Sequence, residues 1–222
     1  MFDLIYFETE IDNECYILAS GTYYKITKSY KSRVDGFYEN LKVWQTDKTL
    51  KEWNGESEGN YNKKYINTEF LVMDMKFVTT EGHSKLEFCD LLSCNKEILH
   101  VKIHSGSSQI LGHLANQGLV SAKALVDGEL NKKISDKIKS CTASLKAKND
   151  NFNRKRFEIP QDFKASEYSV VFVLLCKDNI EIKEGKPHMP FFAKSILREN
   201  VQLIRNLGFN VCIKAIKETK NN

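Results

Sequence analysis

The chain has 222 residues, 41% hydrophobic and 28% charged, a balance that supports a packed core in one domain, or one domain with an appendage, and excludes global disorder. No run of 18 apolar residues occurs, so no membrane-spanning helix is expected. The net charge of +4 is uneven: residues 131–156 hold nine Lys or Arg and two acids, which makes that segment +7 and the remainder −3.

The first stretch, "MFDLIYFETEIDNECYIL", carries early acids and no positive region, so it does not read as a secretory signal and a cytoplasmic protein is expected. "FDLIYFET" and "CYILASGTYYKI" are rich in β-branched and aromatic residues and read as two antiparallel strands. Thr27–Lys42 follows as a helix, with Tyr30, Val34, Phe37, Tyr38 and Leu41 at spacings of three and four and Thr27 or Ser29 as its cap. "NGESEGNYNKKYINT" reads as loop around a short helix.

Three strands come next, "EFLVMDMKFV", "KLEFCDLLS" and "EILHVKIH", joined by turns short enough for antiparallel pairing. After Ser105 the period becomes helical, with a break expected near Gly118, and the basic segment continues as a second helix. "YSVVFVLLC" is a near-continuous apolar strand of the kind covered on both faces, expected at the centre and parallel to "EILHVKIH". "KDNIEIKEGKPHMP" is a polar excursion. An amphipathic helix with Pro190 before its start and Gly208 at its end precedes a last strand, "FNVCIKAIK". The pattern predicts an α/β fold with a mixed central sheet flanked by helices. Six scattered cysteines without CxxC spacing read as buried reduced thiols.

Within the strand cluster, Asp90, His100 and Lys102 stand where apolar residues are expected. Side chains alternate along a strand, so His100 and Lys102 share a face, and a hairpin brings Asp90 to the same edge. A carboxylate and a second ligand can hold a hard divalent cation. A lysine beside them can act on the attacking water or stabilise charge developing on a phosphate. The alternative is a polar sheet edge with an Asp–Lys ion pair.

An Asp on one strand, a short hairpin, and an apolar strand bearing (D/E)-x-K resemble the PD-(D/E)XK, or restriction-endonuclease-like, nuclease superfamily. Here Asp90 matches the Asp and "LHVK" the apolar strand, with Lys102 as its lysine and His100 where an acid or Gln usually stands. The resemblance implies a single nuclease-like domain over 1–222, comprising an N-terminal ββα unit over 1–45 and a restriction-endonuclease-like core over 66–217. It implies Mg²⁺ or Mn²⁺ held by Asp90, His100 and Asp74, with Glu39, Glu56 or Glu58 as other candidate acids. His113 and Gln117, on the helix expected to flank the site, are further candidates; a hydrogen-bonded surface His is the plainer reading of His113.

"FCDLL", "HVKIHSGSSQILGHLANQGLVSA" and "PFFAKSILRENVQLIRNLGFNVCIKAI" also resemble the C-terminal part of a sporadically distributed, uncharacterised bacterial family found near restriction and defence genes. The expectation is a metal-dependent DNA endonuclease, or a nuclease-like DNA-binding protein, in defence against foreign DNA. Asp90, His100 and Lys102 would be catalytic. Lys132, Lys133, Lys137, Lys139, Arg154, Lys155 and Arg156 would grip the phosphate backbone. The alternative is a catalytically inactive nuclease fold serving as a binding or assembly subunit, with a second copy or a defence complex as partner. No GxxxxGK[ST], GxGxxG or GxSxG motif points to other chemistry.

Overall fold

The computed structural model describes residues 7–12, 14–19, 21–45, 50–66, 68–80, 84–146 and 154–219. The chain begins with an antiparallel sheet of β1 (Phe7–Ile11), β2 (Glu14–Ala19) and β3 (Thr22–Ile26), then α1 (Lys28–Glu39). "CYILASGTYYKI" is therefore a hairpin rather than one strand: Gly21, at φ +73°, turns it in a conformation that side chains rarely adopt. Thr27 caps α1, its hydroxyl accepting from the Tyr30 N–H at 3.3 Å.

The rest of the chain contributes α2 (Glu58–Lys63), β4 (Phe70–Val72), β5 (Phe77–Thr79), β6 (Lys85–Glu87), β7 (Leu91–Ser93) and β8 (Glu97–His104). These are followed by α3 (Ser108–Val126), α4 (Gly128–Lys146), β9 (Ser169–Cys176), the small hairpin of β10 (Ile182–Lys183) and β11 (Lys186–Pro187), α5 (Phe191–Asn206) and β12 (Asn210–Lys217). The central sheet has the order β12-β9-β8-β7-β4. β4, β7 and β8 are antiparallel, whereas β8, β9 and β12 are parallel. The fold is thus mixed α/β, with a central mixed sheet flanked by helices.

The apolar run of β9 has a direct cause. Val170, Phe172, Leu174 and Cys176 enter the core formed with α3, α4 and α5, and Val171, Val173 and Leu175 enter a second core with Trp44, Trp53, Tyr61 and Tyr65. Both faces are covered, so neither parity can be polar. The cover of the second face is α2 and the irregular chain on either side of it, pinned by Trp44 N–H to Ile213 O (2.8 Å) and by the Tyr61 and Tyr65 hydroxyls at 2.8 Å from each other. The N-terminal sheet leans on the start of α5, where the Glu8 carboxylate accepts the Phe191 and Phe192 N–H groups at 2.8 and 3.0 Å.

Two further departures from the sequence pattern matter. α3 runs unbroken through Gly118, because this glycine is a point of close approach: a Cβ there would stand 2.6 Å from the Phe172 ring and 3.1 Å from Val170. "EFLVMDMKFV" and "KLEFCDLLS" are each split, into β4 and β5 and into β6 and β7, with Met75 left-handed at φ 56° in the first break. Both breaks fall at the candidate site.

Candidate metal centre

β7 covers only the first part of β8: the register pairs Leu91 with Leu99 and Leu92 with Ile98, and among the described residues no strand continues beyond it on that side of β8. The outward N–H groups of Val101 and Ile103 therefore need other acceptors. Asp90 Oδ2 takes the first at 2.7 Å and Glu58 Oε1 the second at 2.9 Å. Two carboxylates thus substitute for the missing strand, and their positions are fixed by the sheet edge itself. Asp90 is further held through its backbone, donating to Leu99 O and accepting from both Met73 N–H and Asp74 N–H.

The two strand breaks bring in the remaining acids. In the turn after β4, the Met75 N–H donates to Glu87 Oε1, while Lys76 N–H closes back on Met73 O at 2.9 Å. Asp74, Glu87 and Asp90 consequently present carboxylate oxygens that all lie within 4.8 Å of one another. α2 closes the other side. A Cβ on Gly59 would lie 3.3 Å from Asp74 Oδ2, and the Asn62 amide nitrogen is 3.5 Å from Asp90 Oδ1. Asn62 is buried, and its own Oδ1 is buried without a partner among the described residues.

Electrostatically the cluster is unbalanced. Burial raises the Asp90 carboxyl to about 7; the Val101 N–H opposes this, and the nearby Glu87, Asp74 and Glu58 add to it. Burial also raises Glu87, against the Met75 N–H, with Asp74 adding and Lys102 opposing. Lys102 is at hand, but its Nζ is committed to Glu58 Oε2 at 2.8 Å.

The ligand geometry suits a hard cation. Two oxygens on one ion with bonds of about 2.0–2.6 Å stand at most roughly 4–5 Å apart. The three carboxylates meet that limit, are all oxygen donors, and carry negative charge that burial makes costly without a counter-ion.

Of the sequence-predicted residues, Asp90, Asp74, Lys102 and Glu58 come together. His100 does not, and this is a correction: its ring lies on the helix side of the sheet, paired in register with Phe172 and 6.5 Å from that ring. It is 2% exposed, contributes no atom to the carboxylate group, and its Nε2 is buried without a partner among the described residues. Burial lowers its pKa to about 4, so it is neutral at pH 7. Glu39 ends α1, away from the cluster, where its carbonyl accepts from Lys186 Nζ. Glu56 bonds Lys64 and the Asn54 N–H. His113 is exposed on α3, facing a cavity of about 810 Å³ shared with Phe7, Glu8 and Ile196, and Gln117 lies one turn further on; neither joins the cluster.

The residue that sequence reasoning missed is Glu87. Its signal was an acid three residues before Asp90 in "EFCD", hidden because an unbroken strand would have put the two on opposite faces. The basic residues spread over two places. Lys132, Lys133, Lys137 and Lys139 lie on α4, where Lys133 pairs with Glu129 and Lys139 with Asp136. Lys155 and Arg156 belong to a short 3₁₀ turn, with Arg156 3.7 Å from Glu69 and donating to Cys94 Sγ at 3.0 Å; the Arg154 side chain lies outside the described residues.

Fold and site together define a mixed α/β protein with a three-carboxylate cluster on the open edge of its central sheet. The chain belongs to DUF6119, a family of unknown function, which matches residues 1–217. No curated protein and no solved structure matches it. Among the described residues no helix is long and apolar enough to cross a membrane.

Proposed function

We propose that the chain is a metal-dependent phosphodiesterase acting on nucleic acid, with DNA as the substrate expected from its resemblance to the PD-(D/E)XK nucleases. The observation that carries this reading is the convergence of Asp74, Glu87 and Asp90 within 4.8 Å, beside Lys102, at the edge where β7 leaves β8. Asp74, Glu87 and Asp90 would hold Mg²⁺ or Mn²⁺, which when bound supplies Lewis-acid stabilisation of a phosphate oxygen. Asp90 and Glu58 keep the edge rigid through the Val101 and Ile103 N–H groups, so the ligand oxygens are set before any ion arrives. Lys102 offers a positive charge to the phosphate, with Glu58 orienting its ammonium. A role in defence against foreign DNA belongs to the same proposal and is supported by the sequence resemblance.

A second reading, a non-catalytic nucleic-acid-binding or assembly subunit, is favoured by two observations: Lys102 is already ion-paired with Glu58, and the position two residues before it carries a buried neutral histidine instead of an acid. Incubating plasmid and labelled oligonucleotides with the protein and Mg²⁺ or Mn²⁺ separates the two. Cutting by the parent that disappears in Lys102→Ala and Asp90→Asn supports the enzyme. Binding by all three proteins with no cutting by the parent supports the subunit.

A further inference from the structure

The β5–β6 hairpin that supplies Glu87 also presents an aromatic ring. Phe77 is the direct cross-strand partner of Glu87, so the two side chains leave the same face of the hairpin. Glu87 turns into the carboxylate cluster, whereas Phe77 is 38% exposed. Lys85, two residues before Glu87 and therefore on that face too, holds its Nζ 5.8 Å from the Phe77 ring centre.

Opposite stands α4. Phe77, Val78 and Thr79 form one wall of a groove of about 420 Å³, and Lys133, Asp136, Lys137 and Ser140 form the other. Val78 is buried as the floor's anchor to the helical core. The acid in this groove's lining, Asp136, is ion-paired with Lys139, and Lys133 is ion-paired with Glu129. Among the described residues neither Lys137 nor Lys85 has a carboxylate partner, so the groove keeps unspent positive charge around an exposed ring.

We propose that this groove takes an unpaired stretch of nucleic-acid strand, with one base stacked on Phe77 and the backbone phosphates along Lys85 and Lys137. It rests on the functional reading above, and deepens it by naming the form of the substrate. The argument is steric. In a duplex both faces of each interior base are covered by its neighbours, so a ring beside the duplex gains nothing from them. A single strand can splay a base onto it. Cations alone would serve either form; the ring beside them favours the unpaired one. Because Phe77 and Glu87 face each other across the hairpin, the stacked nucleotide sits next to the carboxylates.

The test measures fluorescence polarisation of a labelled oligo-dT and of a labelled duplex of equal length, in EDTA so that no cutting occurs. Phe77→Ala and Phe77→Leu are expected to weaken oligo-dT binding on the order of 5- to 100-fold, with duplex binding unchanged and Phe77→Trp restoring the loss. Phe77→Leu keeps apolar bulk and Phe77→Trp keeps a π face, so a folding defect is distinguished from lost stacking. Lys137→Gln should reduce the slope of log affinity against log salt by about 0.7 for the single strand. Oligo-dT binding that is indifferent to Phe77, or that falls equally for both nucleic acids in all three variants, overturns the inference while leaving the phosphodiesterase reading in place. A parent protein that binds neither nucleic acid at low salt overturns the inference, and one that also cuts neither with Mn²⁺ overturns the phosphodiesterase reading.

Discussion

Replacing Asp90 by asparagine should stabilise the metal-free protein above neutrality and abolish its response to Mn²⁺. The carboxyl is raised to about 7 in the folded protein, against about 3.9 for an unperturbed Asp. Between those values the folded state holds a proton that the unfolded state has released. Stability is therefore lost as pH rises through this window, reaching roughly 4 kcal/mol of penalty above pH 7 if the full shift is realised. Asparagine removes the charge and keeps an acceptor for the Val101 N–H; with the Asn62 amide turned over, its own amide can also donate to Asn62 Oδ1, which has no partner among the described residues. In EDTA at pH 8, Asp90→Asn should be more stable than wild type by about 2–4 kcal/mol, a gain of roughly 5–15 °C in Tm. At pH 5 the advantage should shrink. His100 contributes to pH dependence with the opposite sign, but it is present in both proteins and cancels in the comparison. Mn²⁺ at a hundred times its dissociation constant should raise wild-type stability by about 2.7 kcal/mol at pH 8 and leave the variant unmoved. Urea unfolding followed by circular dichroism at both pH values gives the free energies, and thermal unfolding gives the Tm shift. A variant less stable than wild type at pH 8 in EDTA, with a wild type indifferent to Mn²⁺, would refute the electrostatic reasoning.

Three other perturbations probe separate parts of the account. If the proposed phosphodiesterase reading holds, Lys102→Ala should reduce strand cutting by about 10²-fold or more while Mn²⁺ still raises Tm, because in that reading the amine serves the substrate and not the ion. His100→Leu should leave the Mn²⁺ response intact; a ligand role for this histidine predicts its loss. The folded state resists protonating His100 until about pH 4, whereas the unfolded chain protonates near 6.5. Wild type therefore loses stability as pH falls through that interval, and the leucine variant should escape about 2 kcal/mol of that loss at pH 5, read by urea unfolding. Gly118→Ala should cost roughly 1–3 kcal/mol in the same assay, because its methyl group would collide with the buried Phe172 ring and Val170.

How far the sequence could be read depended on which signals are local. The alternating cores of β9, the Thr27 cap and Pro190 ahead of α5 follow from side-chain chemistry within a few residues, and all three were legible. The breaks at Asp74–Met75 and Phe88–Asp90 were not. They depend on hydrogen bonds, Met73 and Asp74 N–H to the Asp90 backbone O and Met75 N–H to the Glu87 carboxylate, that exist only once β4 and β7 have paired. Losing those breaks hid Glu87, since uninterrupted alternation places it opposite Asp90. Alternation also misled in the case of His100. It shares a strand face with Lys102, but β9 and its helical cover bury the middle of that face, while the longer Lys102 side chain reaches Glu58 at the open edge. Gly118 looked like a helix break because the demand for a missing side chain comes from Phe172, far away in sequence.

The central claim, that Asp74, Glu87 and Asp90 form one divalent-cation site, is tested most directly by calorimetric titration of Mn²⁺ into wild type and Glu87→Gln at pH 7.5. The account predicts one saturable site in wild type, weakened tenfold or more by a substitution that leaves the Val101 and Ile103 edge bonds untouched. A wild type that takes up no Mn²⁺, or a Glu87→Gln variant that binds it equally well, would contradict the claim.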